Sequence, residues 1–133
     1  CNICRGLGSK DGIMGNQLNY EIEFYKKAGD EQSPVDDYLD TMPEKHRQKA
    51  MAIIVRLEEE GPNLKRPHAD TLRGKIRELR CGFHTFEHRF LYFFWNRVIV
   101  ITHGFLKKTR AVPVGEITSA EQAMSEWLKR NRV

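Results

Sequence analysis

Residues 76–105 decide the fold: IRELRCGF (76–83), HTFE (84–87), HRFLYFFW (88–95), NR (96–97) and VIVITHGF (98–105). Three runs rich in β-branched and aromatic residues alternate with short polar connections, which is the pattern of strands and tight turns. Strands joined so closely pair antiparallel, so Ile76 to Phe83, His88 to Trp95 and Val98 to Phe105 form a meander. Turn length sets which side chains share a face. A four-residue loop, His84 to Glu87, pairs Phe83 with His88 and puts Arg80 and Arg89 on one face. A three-residue turn, Trp95-Asn96-Arg97, then sets Arg89 opposite His103. A two-residue turn instead sends His103 to the other side.

Working outward, Tyr20 to Tyr25 alternates apolar and charged residues like a half-buried strand. Ser33-Pro34-Val35-Asp36 supplies a helix cap, a first-turn proline and an acid, opening a helix that runs to about Met42. Thr41-Met42-Pro43-Glu44 repeats the device. In the helix that follows, Ala50, Ile53, Ile54 and Leu57 form one apolar stripe, and Gly61-Pro62 ends it. Asn63 to Asp70 reads as a loop. Val114 to Lys129 returns to helical spacing. The order β-α-α-β-β-β-α describes an α+β domain, a mixed and largely antiparallel sheet with helices packed on one side.

The chain's 133 residues, 40% hydrophobic and 30% charged, suit one domain with an ordinary core. The longest apolar stretch, Phe90 to Trp95 and then Val98 to Ile101, is too short and interrupted to cross a bilayer. Residues 1–17 hold four glycines and little periodicity, and read as a flexible leader or an artificial remnant; the domain is expected over 18–133. Cys1 and Cys4 have the spacing of half a zinc site with no second half nearby, so no metal site is assigned. With Cys81 they make an odd set of three, which suits a reducing cytoplasm better than a disulfide framework.

The net charge of +4 hides an asymmetry. Residues 18–60 carry 11 acidic and 6 basic side chains, whereas residues 61–110 carry 11 basic and 3 acidic. A basic middle of this kind attracts polyanions, phosphate backbones above all. No phosphate-cradling glycine loop, serine elbow or two-histidine metal helix is present. The remaining inventory suits RNA cleavage by the substrate's own 2′-hydroxyl. That reaction needs no protein nucleophile, only cations for the charged transition state and a group that moves protons.

Several ordered motifs now resemble a known family. They are Leu72-Arg73-Gly74-Lys75-Ile76-Arg77-Glu78-Leu79-Arg80, Arg89-Phe90-Leu91-Tyr92-Phe93 and His103-Gly104-Phe105-Leu106-Lys107-Lys108-Thr109. Pro113, Glu116-Ile117, and upstream Ser-Pro-Val-Asp-Asp-Tyr-Leu and Glu-Glu-Gly-Pro-Asn-Leu complete the set. Together, over about residues 19–130, they resemble the phage-derived, HigB-like branch of the RelE/ParE toxin superfamily. The resemblance implies a RelE-like fold and the toxin of a type II toxin–antitoxin pair. Such a toxin is a cytoplasmic, cofactor-free and metal-independent endoribonuclease that cuts mRNA on the ribosome and is neutralised by a helix-turn-helix antitoxin. It also implies catalytic roles for Arg80, Arg89, His103, Lys107 and Lys108, with Lys65, Arg66, His68, Arg73 and Lys75 as RNA contacts. No tyrosine follows Tyr92, where many RelE members place one, so histidine takes the proton-transfer role. The alternatives are a ParE-like, non-enzymatic inhibitor of DNA gyrase and a plain RNA-binding module.

Overall fold

The computed structural model describes residues 20–131, so the expected leader and the Cys1/Cys4 pair lie outside the described residues. Strand β1 spans Glu21–Phe24, helices α1 and α2 span Pro34–Asp40 and Glu44–Glu60, and a 3-10 turn covers Gly61–Asn63. Strands β2 (Ala69–Arg73), β3 (Ile76–Phe83), β4 (Phe86–Trp95) and β5 (Val98–Leu106) follow, and helix α3 (Val114–Asn131) closes the described chain. The sheet is mixed, in the order β1-β5-β4-β3-β2, with β1 parallel to β5 and the other pairs antiparallel. The α+β class and the meander stand as the sequence indicates.

β2 is the element the sequence reading lacks. Ala69-Asp70-Thr71-Leu72-Arg73 is short, polar and an edge, and pairing with β3 makes it a strand: Ala69 lies opposite Leu79 and Asp70 opposite Glu78. The Ser33 hydroxyl caps α1 by accepting from the Asp36 N–H at 3.0 Å. Thr41 does not open α2. Its hydroxyl donates to the Tyr38 carbonyl at 2.7 Å and closes α1, leaving Pro43 as the N-cap of α2.

The α1–α2 elbow covers one side of the sheet. Val35, Leu39, Ala50, Ile54 and Leu57 meet Leu79, Phe90, Tyr92, Ile99 and Ile101 there. α3 packs on side chains of opposite parity, with Ala120 and Trp127 against Leu91, Phe93 and Val100. Successive strand residues point to opposite faces. The apolar run Phe90 to Phe93 is therefore buried on both sides, which accounts for its lack of alternation.

Both expected turns differ from what forms. Phe83 pairs with Phe86 across a two-residue turn in which His84 has φ 55°. Arg80 then lies directly opposite Arg89, on the same face as expected but in a tighter register. Asn96-Arg97 also makes a two-residue turn, with Trp95 opposite Val98 and Asn96 at φ 54°, a conformation asparagine tolerates. By itself that register would move His103 across the sheet. A register shift between Leu91 and Tyr92 restores it, so His103 lies opposite Leu91, on the Arg89 face.

Candidate functional site

The β3–β4 register sets two guanidinium groups side by side, an arrangement that repels unless neutralised. Glu78, only 4% exposed, lies with them. Arg80 donates to its Oε2 from Nε at 3.0 Å and approaches through Nη2 at 2.9 Å; Arg89 donates to Oε1 from Nε at 3.2 Å. Asp70 lies 3.5 Å from Arg80, and Glu87 accepts from Arg89 Nη1 at 3.1 Å. Arg89 is buried, whereas Arg80 keeps about a third of its side chain exposed. One carboxylate thus fixes both cations, one at depth and one reaching solvent.

Arg80 and Arg89 open onto a cleft of about 540 Å³ between α2 and the β3 side of the sheet. Lys49, Arg56 and His68 line it too, with Glu87 as the acidic member of the lining. Lys49 and Arg56 lie seven residues apart on α2, two turns and therefore one face. Arg56 donates from Nη1 to His68 Nε2 at 3.0 Å, since a guanidinium has no acceptor. Arg56 is held from its other side by Glu60 at 2.7 Å. Among the described residues Lys49 forms no ion pair and remains available to an anion.

Residues 37–125 match the family model described as Phage derived protein Gp49-like (DUF891). The chain belongs to the Gp49-like family. Among solved structures, this Gp49-like chain is similar to E. coli toxin RelE, an arginine-to-alanine double mutant in the free state. That likeness has 17% identity and a TM-score of 0.46, and covers 85% of this chain and 98% of the other. No curated protein matches the chain significantly.

The Gp49-like fold divides the residues singled out from sequence. Arg80, Arg89 and His68 share the α2–β3 cleft. His103 shares the sheet face of Arg89 but lines a different cleft of about 520 Å³, beside α3. There its Nε2 meets Glu116 Oε1 at 2.8 Å and its Nδ1 meets the Thr102 hydroxyl at 3.1 Å. His103 thus shares the sheet face of the two arginines, as expected, but lines a separate cleft, where α3 brings Glu116 to the imidazole. Lys107 and Lys108 follow the end of β5, half-buried and exposed, and neither lines the α2–β3 cleft. Arg66 pairs with Asp70 at 2.8 Å, and Arg73 grips Glu121 of α3 at 2.7 and 3.1 Å. Lys65 and Lys75 are exposed. Among the described residues no group of three histidine, cysteine or carboxylate side chains is placed to hold a metal.

Lys49 and Arg56 escape a reading based on charge, since they sit in the acidic stretch; only their spacing on α2 marks them. A largely buried row also escapes it. The Tyr38 hydroxyl meets His88 Nδ1, and His88 Nε2 meets His46 Nδ1 at 2.9 Å. Burial, then the neighbouring Cys81, pushes the Tyr38 hydroxyl up to about 12. Burial, then His46, pulls His88 below the usual histidine value. Both are therefore neutral at pH 7. No described helix is long and apolar enough to cross a membrane.

Proposed function

We propose that this Gp49-like chain is the toxin of a type II toxin–antitoxin pair and a metal-independent endoribonuclease that cuts mRNA in the cytoplasm, on the ribosome. The α2–β3 cleft is the observation that supports the reading most directly: four cationic side chains and one imidazole surround space for a phosphodiester.

These residue types suit transesterification. O2′ attacks the adjacent phosphorus, the P–O5′ bond breaks, and the products are a 2′,3′-cyclic phosphate and a 5′-hydroxyl. The 2′-hydroxyl proton passes to a base and O5′ takes up a proton as it leaves. Charge accumulates on the phosphoryl oxygens, where fixed cations lower the barrier. Arg80 is assigned to those oxygens because it is both anchored by Glu78 and partly exposed. Lys49 and Arg56 hold the flanking phosphates. His68 replaces His103 as the proton-transfer residue, imidazole being the side chain suited to that work near neutral pH. Lys65, Lys75, Lys107 and Lys108 are left as backbone contacts outside the cleft. The neutralising partner is a helix-turn-helix antitoxin presenting acidic side chains to the basic surface.

The test is cleavage of a reporter mRNA in a translating extract, with ends mapped by primer extension. Arg80→Ala and His68→Ala should each lower the rate about a hundredfold or more, while His103→Ala stays within a few-fold of wild type. Full cleavage by both cleft variants, with folding verified by thermal unfolding, would overturn the assignment. Normal translation with inhibited DNA supercoiling would instead indicate a gyrase inhibitor.

A further inference from the structure

Lys49 is the first residue of α2 to line the cleft, and the same helix face continues beyond it to the buried His46. His46, Lys49, Ile53 and Arg56 follow one another along a single face of α2, a path of about 15 Å at 1.5 Å per residue. Arg56, at one end, meets His68 beside Arg80. His46, at the other, packs edge-on against Phe83 and Phe86, with ring centroids at 4.4 and 4.8 Å. Cys81 and Gly82 line the cleft between these ends, and Glu87 flanks Phe86 directly.

The far end is built of aromatic rings at the tip of the β3–β4 hairpin. Phe86 is 45% exposed, one of two large hydrophobic side chains so exposed among the described residues. The exposed His84 ring lies 4.5 Å from that of Phe83. Phe86 packs on His46 and His88, yet nearly half of it stays open to solvent. Next to a cationic groove it supplies what a flexible polyanion with flat apolar bases needs, since bases stack on aromatic rings while phosphates follow cations.

We infer that the groove from His68 to Phe86 is a track for single-stranded RNA, in which Phe86 and His84 stack an unpaired base one or more nucleotides from the scissile phosphate. This deepens the ribonuclease reading and rests on it. Stacking is tolerant of base identity, so the platform selects for unpaired strand rather than for sequence. A duplex, whose bases are already stacked on one another, does not engage it.

The experiment uses the full chain and a fluorescein-labelled 2′-O-methyl RNA hexamer, which lacks the attacking hydroxyl and stays intact. Binding is read by anisotropy at fixed salt, beside cleavage of unmodified mRNA in extract. Phe86→Ala should weaken hexamer binding about tenfold, Phe86→Trp should restore it, and the same hexamer annealed to its complement should bind Phe86→Ala and wild type alike. Equal hexamer affinity in wild type, Phe86→Ala and Phe86→Trp overturns the track, as does absence of hexamer binding by wild type. If Phe86→Ala changes nothing while Arg80→Ala abolishes cleavage, the nuclease stands and the platform falls. If Phe86→Ala weakens binding but wild type cuts no RNA, the track stands and the nuclease falls. Loss of antitoxin binding alone in Phe86→Ala would make the tip a protein contact and overturn the proposal.

Discussion

Glu78 shows why a charged residue in a strand should not be assigned to solvent by default. Its two oxygens serve two arginines on paired strands, and the group is almost fully buried. Removing one partner of a buried ion pair leaves the others uncompensated, which costs about 3–5 kcal/mol. Glu78→Gln should therefore lower the urea unfolding free energy by about that amount and also reduce cleavage. The two arginines would face each other across β3 and β4 without the carboxylate they share. A variant with wild-type stability would mean that the arginines find other counter-ions, Asp70 and Glu87 being the nearest. Lys49→Ala, on an exposed side chain without an ion pair, should leave stability within about 0.5 kcal/mol of wild type.

At the scale of elements, α1, α2 and β4 are joined by the Tyr38–His88–His46 row, which packs against Phe86 and Phe90. The groups facing His88 are Tyr38 from α1, His46 from α2 and the neighbouring Glu87, which opposes the lowering. Because folded His88 sits below the ordinary value, the unfolded chain binds more protons once the pH falls through about 6.5. This contribution to stability is complete above that pH and is lost progressively below it. Urea midpoints should fall from pH 7.5 to pH 5.5, and His88→Gln should flatten the dependence. A midpoint unchanged over that interval would show that the row is not protonated on unfolding. The row also ties the elbow to the hairpin that carries Arg89 and Phe86, so acid should loosen both together.

For the whole molecule, charge is distributed by function rather than evenly. Basic residues of α2 and of the sheet meet at the cleft, where each arginine already has a carboxylate partner. RNA must exchange with those carboxylates, so binding should be salt-dependent but not extreme. Four cations engaging four phosphates give a slope of log affinity against log salt of about −3 for a single strand. Anisotropy at several salt concentrations measures it. A slope near zero would remove the electrostatic basis of the site, and a much steeper one would mean that Lys65, Lys75, Lys107 and Lys108 bind RNA as strongly as the cleft does. The bidentate Arg73–Glu121 pair fastens the β2 edge to α3.

Much of this was legible in order along the chain. The β-rich runs and short polar turns of 76–105, the Ser33 cap and the stripe on α2 rest on forces between near neighbours, and they gave the meander, the elbow and the α+β class. The basic middle and its arginines were legible for the same reason, since composition needs no register. Only the tertiary structure decided which charges meet. A two-residue turn moved Arg80 opposite Arg89, a bulge beside Leu91 returned His103 to their face, and α3 then took His103 for Glu116. β2 became a strand through β3, and Lys49 and Arg56 joined the site because α2 lies along it. Local sequence sets what an element is, but the register of one residue and the approach of a distant helix set what it touches.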